Sequence, residues 1–470
     1  MLTLFFLLFG ILMSASCVAE ETHPGLGTNI PTVYLDTKDQ QLPYDKEHDI
    51  PTLITIVDTD GTQLTADSGG IRYRGNASLN FPKKPYRIKF NKKQKVLDAP
   101  AKAKKWTLIN NYGDKTLMRN MVAFYLSRRF GMPYTPYCQP VDVVLNGEYR
   151  GCYQLSDQIE VNSNRVNITE MEPTDISGEA LTGGYLIEID ALYQSEPCYF
   201  FSKHGIPVTI KSPDSDEITG EQKQYITDRF NLLEQKLFGK DFKDEVNGYR
   251  SMLDLNTFLR HFLVGELAGN TDTYWSVYMY KQRGDDRFYT GPVWDFDIAF
   301  DNDVRTFPIC DKKDFLYLTG GSSAGKMNMF VTQIIKKDAA AYKQLQQIWY
   351  DARDSHAICA DSILAYIDSV AKVLEPSQQL NFKKWRILST KVHQNPRAAG
   401  TYAGEVQYLK DYIPQRIQWL DTYFEYNPET AVPGLRLTPI PLVDKVMQDG
   451  KIHIIKDNHY YDILGNQLYE

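Results

Sequence analysis

The spacing of the apolar residues changes along this chain, and that change limits the folds it can adopt. In the first half, residues 71–75 and 85–90 alternate apolar and polar side chains, which predicts two half-buried strands joined by a polar loop. In the second half, apolar residues recur every third or fourth position and predict amphipathic helices, as at Ile226, Phe230, Leu233 and Leu237. This order predicts an α+β fold with a β-rich N-terminal lobe and an α-rich C-terminal lobe.

Turn signals and β-branched runs predict further elements. Asn146 and Gly147 separate two alternating segments, and this pair readily takes the two positive φ angles of a type I′ hairpin turn. A helix is predicted over residues 115–130 and is ended by Gly131. The last set of apolar residues at helical spacing lies on both sides of Pro414, where a kink in the helix or its N-terminal boundary is expected. Strands are predicted at residues 31–35, 52–57, 185–189, 208–211, 278–280 and 292–294.

The N-terminal residues have the composition of a targeting segment. Residues 2–13 are apolar, and the small residues 14–16 lead directly to Cys17. Such a run is too short to span a bilayer and predicts a signal peptide or a lipoprotein signal over residues 1–17, followed by a tether over residues 18–30. Lipid anchoring through Cys17 and simple cleavage both stay open. Either outcome predicts an extracytoplasmic protein, secreted or attached as an outer-surface lipoprotein.

The C-terminal residues also differ from the rest of the chain. Pro428, Pro433, Pro439 and Pro441 lie close together and predict a linker. The alternating residues 451–456 and 459–465 predict a terminal hairpin. We therefore assign residues 426–470 to a linker and a short β extension, which resembles the C-terminal extensions of secreted Bacteroidetes-type proteins.

Composition excludes several classes of function. The formal net charge of −7 gives no overall basic field for binding nucleic acid. Five cysteines follow Cys17, at scattered positions without a CxxC pair or Cys/His ligand spacing, and they predict buried free thiols rather than disulfides. The HExxH motif is absent, and the eight histidines give no support to a catalytic serine or cysteine triad. Residues 320–326 fit GxxxxGK, but residue 327 is Met instead of a magnesium-binding hydroxyl, so we predict a flexible loop there.

Three aspartates lie at positions in the sequence that suit a phosphoryl-transfer site. Such chemistry needs a carboxylate near the attacking hydroxyl, further carboxylates for Mg²⁺ and cations or amides on the phosphates. Asp272 follows an amphipathic helix. Asp295, which lies 23 residues after Asp272, and Asp297 follow a short hairpin. A hairpin of that length returns the second group beside the first. The alternatives are that Asp272 caps a turn and that Asp295 and Asp297 are structural.

Several stretches together resemble the CotH kinase family, over about residues 31–425. The matching stretches are residues 71–78, 83–90, 106–108, 114–116, 119–120, 145–153, 183–190 and 294–297. The resemblance implies an atypical protein-kinase-like fold of two lobes. It also implies that the protein phosphorylates secreted or surface proteins, with ATP as the nucleotide and Mg²⁺ or Mn²⁺ as the metal.

The resemblance further implies roles for individual residues. Asp272 would orient the acceptor hydroxyl, Asp295 would bind the metal, and Asp297 would support a second ion. A phosphate-facing turn would contain Arg74, Gly75, Asn76 and Ser78, and phosphate oxygens would also contact Lys89 or Lys84.

The chain departs from the kinase pattern at two points. Val277 stands where a catalytic loop usually has Asn, and Ser276 or Asn270 would replace that metal ligand. No carboxylate follows Lys89 in a helix that could pair with it; Glu148 and Glu160 are distant. A second hypothesis is therefore a catalytically inactive surface protein that binds a partner or a glycan. A third is a glycosidase that uses Asp272 and Asp295 as paired carboxylates.

Overall fold

The fold is described from a computed structural model. It describes residues 23–309, 314–318 and 327–427 in full, and the backbone of four strands within residues 444–469. The predicted signal over residues 1–17, with Cys17, and the GxxxxGK segment over residues 320–326 lie outside the described residues.

The first seven strands form a closed barrel in the order β1-β2-β3-β4-β5-β7-β6. Neighbours are antiparallel except at the closure, where β1 and β6 run parallel. Ile54, Ile71, Trp106 and Tyr153 fill the interior without exposure. The strands are β1 Thr32–Thr37, β2 Ile50–Val57, β3 Gln63–Tyr73, β4 Tyr86–Lys95, β5 Lys102–Ile109, β6 Cys138–Leu145 and β7 Glu148–Asp157.

The predicted hairpin and the predicted loop are both found in the barrel. Asn146 and Gly147 take φ angles of 52° and 75° between β6 and β7, as a type I′ turn requires. The polar loop between β3 and β4 contains the predicted phosphate turn. Because β3 and β4 pair in register up to Tyr73 and Tyr86, this loop emerges from one end of the barrel.

A second, five-stranded antiparallel sheet follows, in the order β12-β11-β8-β10-β9. Its buried side chains pack with those of the helices in one hydrophobic core. The strands are β8 Tyr185–Asp190, β9 Tyr199–Phe201, β10 Pro207–Ser212, β11 Ser276–Lys281 and β12 Phe288–Thr290. Residues 292–294, which were predicted as a strand, are instead a loop. The loop continues to Phe296, whose N–H donates to the side chain of Asn120 rather than to a neighbouring strand.

Helices dominate the C-terminal part of the described chain, as predicted. They are α1 Arg119–Arg129, α2 Gly220–Phe238, α3 Leu255–Ala268, α4 Asn328–Val331, α5 Ala339–Asp354, α6 Ala360–Lys384 and α7 Tyr402–Tyr423. Helix α1 begins four residues later than predicted, because Asp114 accepts hydrogen bonds from Thr116 and Arg119 in a turn. Pro414 lies inside α7 and is not its N-terminal boundary.

Smaller predictions have mixed outcomes. Cys138, Cys152 and Cys198 are buried, and Cys359 is half-buried; Cys152, Cys198 and Cys359 are free thiols. The predicted terminal hairpin is part of a four-stranded sheet of Asp444–Gln448, Lys451–Lys456, His459–Tyr461 and Gln467–Tyr469. None of the helices in the described part of the chain is long and apolar enough to cross a membrane.

Candidate functional site

Asp272 lies in a short 3-10 turn, Thr271–Tyr274, directly after helix α3. Gly269 ends the helix in the left-handed conformation at φ 59°, which glycine adopts without steric cost. The N–H of Asn270 then donates back to the carbonyl of Gly265 over 3.1 Å. The rigid end of a buried helix therefore fixes the backbone that carries Asp272.

Asp295 and Asp297 lie in the loop that follows strand β12. Asp295 has a φ of 65°, a conformation that costs a non-glycine residue about 1–3 kcal/mol unless its surroundings hold it. Two side-chain contacts hold this loop: Asn120 Oδ1 accepts from Phe296 N at 2.7 Å, and Asn270 Nδ2 donates to the carbonyl of Asp295 at 3.3 Å.

The charges of these aspartates act on one another, so the structure brings Asp272, Asp295 and Asp297 together. The surrounding protein raises the pKa of Asp295 to about 6, mainly through loss of water around the carboxyl and then through the charge of Asp272. The residue nonetheless keeps contact with solvent. Burial and the charge of Asp295 also raise the pKa of Asp297 well above its usual range.

The carboxyls of Asp295 and Asp297 lie close enough for each to act on the pKa of the other. Carboxyls this close ionise together less readily than isolated ones, and a divalent cation between them would favour the ionised form of both. Within the described residues, no group of three or more His, Cys, Asp or Glu side chains has the arrangement of a metal site. Two carboxylates suffice for Mg²⁺ when substrate phosphates and waters supply the other ligands. The residues therefore fit a divalent cation bound together with a nucleotide.

Arg74 extends the site towards the barrel. Its guanidinium carbon lies 5.6 Å from the centre of the Trp294 ring, and its charge acts on Asp295. The next residue, Gly75, has a φ of 82°, and a Cβ there would lie 2.3 Å from Ser78 Oγ. The side chain of Asn76 accepts hydrogen bonds from Lys46 and Ser195 at 2.8 and 3.0 Å. These contacts hold the β3–β4 turn with Arg74 beside the carboxyls.

Three other predicted side chains have different neighbours. Lys84 Nζ donates to the carbonyl of Leu79 over 2.5 Å, within the loop itself. Lys89 lies on β4 opposite Gly70 and Lys105. Ser276 Oγ donates to Glu188 Oε1 over 2.9 Å. Among the residues described, none of these three side chains forms a hydrogen bond or an ion pair with Asp272, Asp295 or Asp297.

A basic side chain that the sequence analysis missed contacts Asp272. Arg305 Nη2 lies 3.2 Å from Asp272 Oδ1, and its Nε and Nη2 also donate to Asp303 over 2.6–3.0 Å. Burial raises the pKa of Asp272, and the charge of Arg305 lowers it. His393 lies close enough for its charge to act on Asp272 as well. Both residues lie in irregular loops, so no periodic pattern could have indicated them.

A buried ion pair on the second sheet was also missed. Glu188 on β8 is 6% exposed and pairs with Lys211 on β10 at 3.1 Å. Its charge contributes to the raised pKa of Asp295. The signal was present: a glutamate in the middle of an apolar strand is costly to bury unless it is paired.

The comparisons with known proteins agree with this geometry. The β-rich N-terminal region and the C-terminal helices form a mixed α+β fold, and the family match makes this a kinase-like protein. A family model described as "CotH kinase protein" matches residues 71–420, which is more than half of the chain. The chain belongs to the CotH kinase family. No curated protein matches it.

Proposed function

We propose that this chain is an ATP- and divalent-metal-dependent phosphotransferase with a two-lobed kinase fold. The observation that carries the proposal is the grouping of Asp272 with the carboxyls of Asp295 and Asp297, whose charges act on one another. Buried structural carboxylates are normally neutralised by cationic side chains, whereas here the charge of Asp272 raises the pKa values of Asp295 and Asp297, with Arg74 as the cation that acts on Asp295. That arrangement suits a site completed by a metal ion and a nucleotide.

In the proposed reaction, Asp272 acts on the acceptor. An acceptor hydroxyl oxygen forms a bond to the γ-phosphorus of ATP while the bond from that phosphorus to the bridging oxygen breaks and ADP leaves. Asp272 orients the hydroxyl and takes its proton. Its contact with Arg305 fixes the carboxylate and favours the ionised form that can accept a proton.

The remaining residues act on the nucleotide. Asp295 and Asp297 would hold Mg²⁺ or Mn²⁺, which when bound neutralises and orients the phosphate groups. Arg74, whose charge acts on Asp295, would donate charge-assisted hydrogen bonds to phosphate oxygens. Gly75 lets the backbone of the same turn approach the phosphates closely.

We further propose that the acceptor is a secreted or surface protein. The apolar residues 2–13 and Cys17 support export, with lipid attachment or release as the two outcomes. The family match supports kinase-like chemistry. The net charge of −7 argues against nucleic acid as the partner.

The test is transfer of labelled phosphate from ATP in the presence of Mn²⁺, to the chain itself or to dephosphorylated casein as a generic acceptor. We expect labelling by the wild type and a loss of about 100-fold or more in Asp272→Ala and Asp295→Ala. Asp241→Asn, a change at an exposed aspartate, should retain activity. If the wild type binds ATP with metal but labels no better than Asp295→Ala, the phosphotransferase proposal fails.

A second candidate function is a non-catalytic surface protein that uses the same scaffold for binding. Val277 favours it, because this buried strand residue stands where a kinase catalytic loop usually supplies an amide. Thermal unfolding distinguishes the two. A nucleotide at about 100 times its dissociation constant should stabilise a phosphotransferase by about 2.7 kcal/mol. Absence of any shift with nucleotides and Mn²⁺ would favour the non-catalytic protein.

A further inference from the structure

Asn270 is held rigidly between helix α3 and the turn that carries Asp272. Its N–H donates to the carbonyl of Gly265 at 3.1 Å, and its own carbonyl accepts from Thr273 N at 3.0 Å. The residue is 1% exposed. These hydrogen bonds restrict the backbone of Asn270 and therefore fix the position from which its side chain extends.

The two ends of its side-chain amide have different environments. Nδ2 donates to the main-chain carbonyl of Asp295 over 3.3 Å, which fixes the amide beside the loop that carries Asp295 and Asp297. Oδ1 is buried and has no hydrogen-bond partner among the described residues. An acceptor left in this state costs about 1–3 kcal/mol, so a buried orphan oxygen beside a pair of carboxyls calls for a ligand.

The chemistry of that oxygen suits a hard divalent cation. Amide oxygens are regular ligands of such ions alongside carboxylates. Asp295 and Asp297 already supply two acidic groups, and Asp272 and Glu188 add negative charge nearby. A neutral oxygen completes the coordination without adding to this repulsion.

The hydroxyl of Ser276 is the competing ligand, and it is already engaged. It donates to Glu188, whose other oxygen pairs with Lys211. We propose that Asn270 Oδ1 is a protein ligand of the cation held by Asp295 and Asp297. This inference depends on the metal site of the proposed function and adds a residue two positions before Asp272 to it.

The test is direct metal binding by the full chain, without a catalytic assay. Mn²⁺ affinity is measured by titration calorimetry, and bound Tb³⁺ is examined through its luminescence lifetimes in H₂O and D₂O, which count coordinated waters. Asn270→Leu keeps the volume but removes the oxygen, and Asn270→Asp keeps an oxygen. We expect Asn270→Leu to weaken Mn²⁺ binding about tenfold or more and to gain about one bound water. We expect Asn270→Asp to retain affinity.

Three further variants separate the outcomes. Asn256→Leu removes an exposed amide from the same helix and should bind Mn²⁺ as the wild type does. If Asn270→Leu matches the wild type in affinity and hydration while Asp295→Asn loses Mn²⁺, the metal site stands and the assignment of Asn270 is overturned. The same holds if Ser276→Ala shows the losses instead. Failure of the wild type to bind Mn²⁺ with or without ATP would overturn both the assignment and the proposed metal site.

Discussion

The guanidinium of Arg305 lies 3.2 Å from the carboxylate of Asp272 while Asp303 binds the same guanidinium through two nitrogens. Asp303 is almost fully buried, whereas Arg305 and Asp272 each keep about a third of their side chains exposed (32%). The arginine is therefore anchored at one end and presents a fixed positive charge to the proposed catalytic group. Asp303 thus positions Arg305, and Arg305 in turn positions Asp272. The loop that carries Asp303 and Arg305 has no recognisable motif.

Removal of the Arg305 charge should alter the acid side of the pH–rate profile. Arg305 lowers the pKa of Asp272 against the effect of burial, so Arg305→Gln should raise that pKa. A larger fraction of Asp272 would then be protonated at a given pH, and the acidic limb of kcat/KM should move to higher pH. Arg287→Gln, at an exposed arginine paired with Asp285, is the control and should leave the limb in place. An unchanged limb in Arg305→Gln would contradict the role given to this contact.

Metal affinity should rise with pH. The pKa of Asp295 is raised to about 6 and that of Asp297 is raised as well, so protons occupy the pair at low pH and compete with the cation. We expect Mn²⁺ to bind more tightly as pH increases through about 6, with release of protons on binding. Calorimetry in buffers of different ionisation enthalpy measures that release. Binding without proton release near pH 6 would contradict the raised pKa values of these carboxyls.

The same carboxyls should lower the stability of the metal-free protein. An acid whose pKa is higher in the folded state than in the unfolded state binds more protons when folded, so its contribution to stability decreases as pH rises through the folded pKa. At pH 7 Asp295→Asn should therefore raise the free energy of unfolding, on the order of 1 kcal/mol after allowance for solvent screening. It should simultaneously abolish Mn²⁺ binding. Urea unfolding without metal is the measurement, with Asp241→Asn as the control; a destabilised Asp295→Asn would contradict the argument.

Gly75 should be required for nucleotide binding. Alanine there would place its Cβ 2.3 Å from Ser78 Oγ and would have to keep a φ of 82°, so the turn would shift. We expect Gly75→Ala to weaken ATP binding, measured by titration in the presence of Mn²⁺, and Ser78→Ala in the same chain to restore it in part. Gly147→Ala is a matched control, because its φ of 75° carries similar strain with no atom within 4 Å of the added Cβ. Equal ATP affinity in wild type and Gly75→Ala would remove this turn from the nucleotide site.

The barrel should depend on helix α6 for its stability. Lys83, 1% exposed, donates to the carbonyl of Cys152 at 2.6 Å and to Asn381 Oδ1 at 2.8 Å. Asn381→Ala leaves the buried Lys83 with one acceptor fewer and should reduce the free energy of unfolding by about 1–3 kcal/mol. Gln379→Ala on the exposed side of the same helix should change it by less than about 0.5 kcal/mol. Equal unfolding curves for the two variants would show that this contact contributes little.

Much of the fold was predictable because the spacing of apolar residues along the chain indicates which faces of its strands and helices are buried. The hairpin at Asn146 and Gly147, the strands around the polar β3–β4 loop and the stripe from Ile226 to Leu237 were all expected and are all present. Predictions were wrong where a segment's partners come from elsewhere in the chain. Residues 292–294 were predicted as a strand but form a loop, and the next backbone contact, from Phe296 N, goes to the side chain of Asn120, 176 residues away in sequence.

The sequence by itself determined which residue types could do the chemistry and the spacing of Asp272, Asp295 and Asp297 along the chain. Only the tertiary structure decided which side chains are engaged and which are free. Ser276 is engaged by Glu188, 88 residues away in sequence, whereas Asn270 keeps a buried oxygen free of partners within the described part of the chain. The physical reason is that periodicity reports which face of an element is buried, while hydrogen-bond partners and local charge arise from residues that only folding brings together.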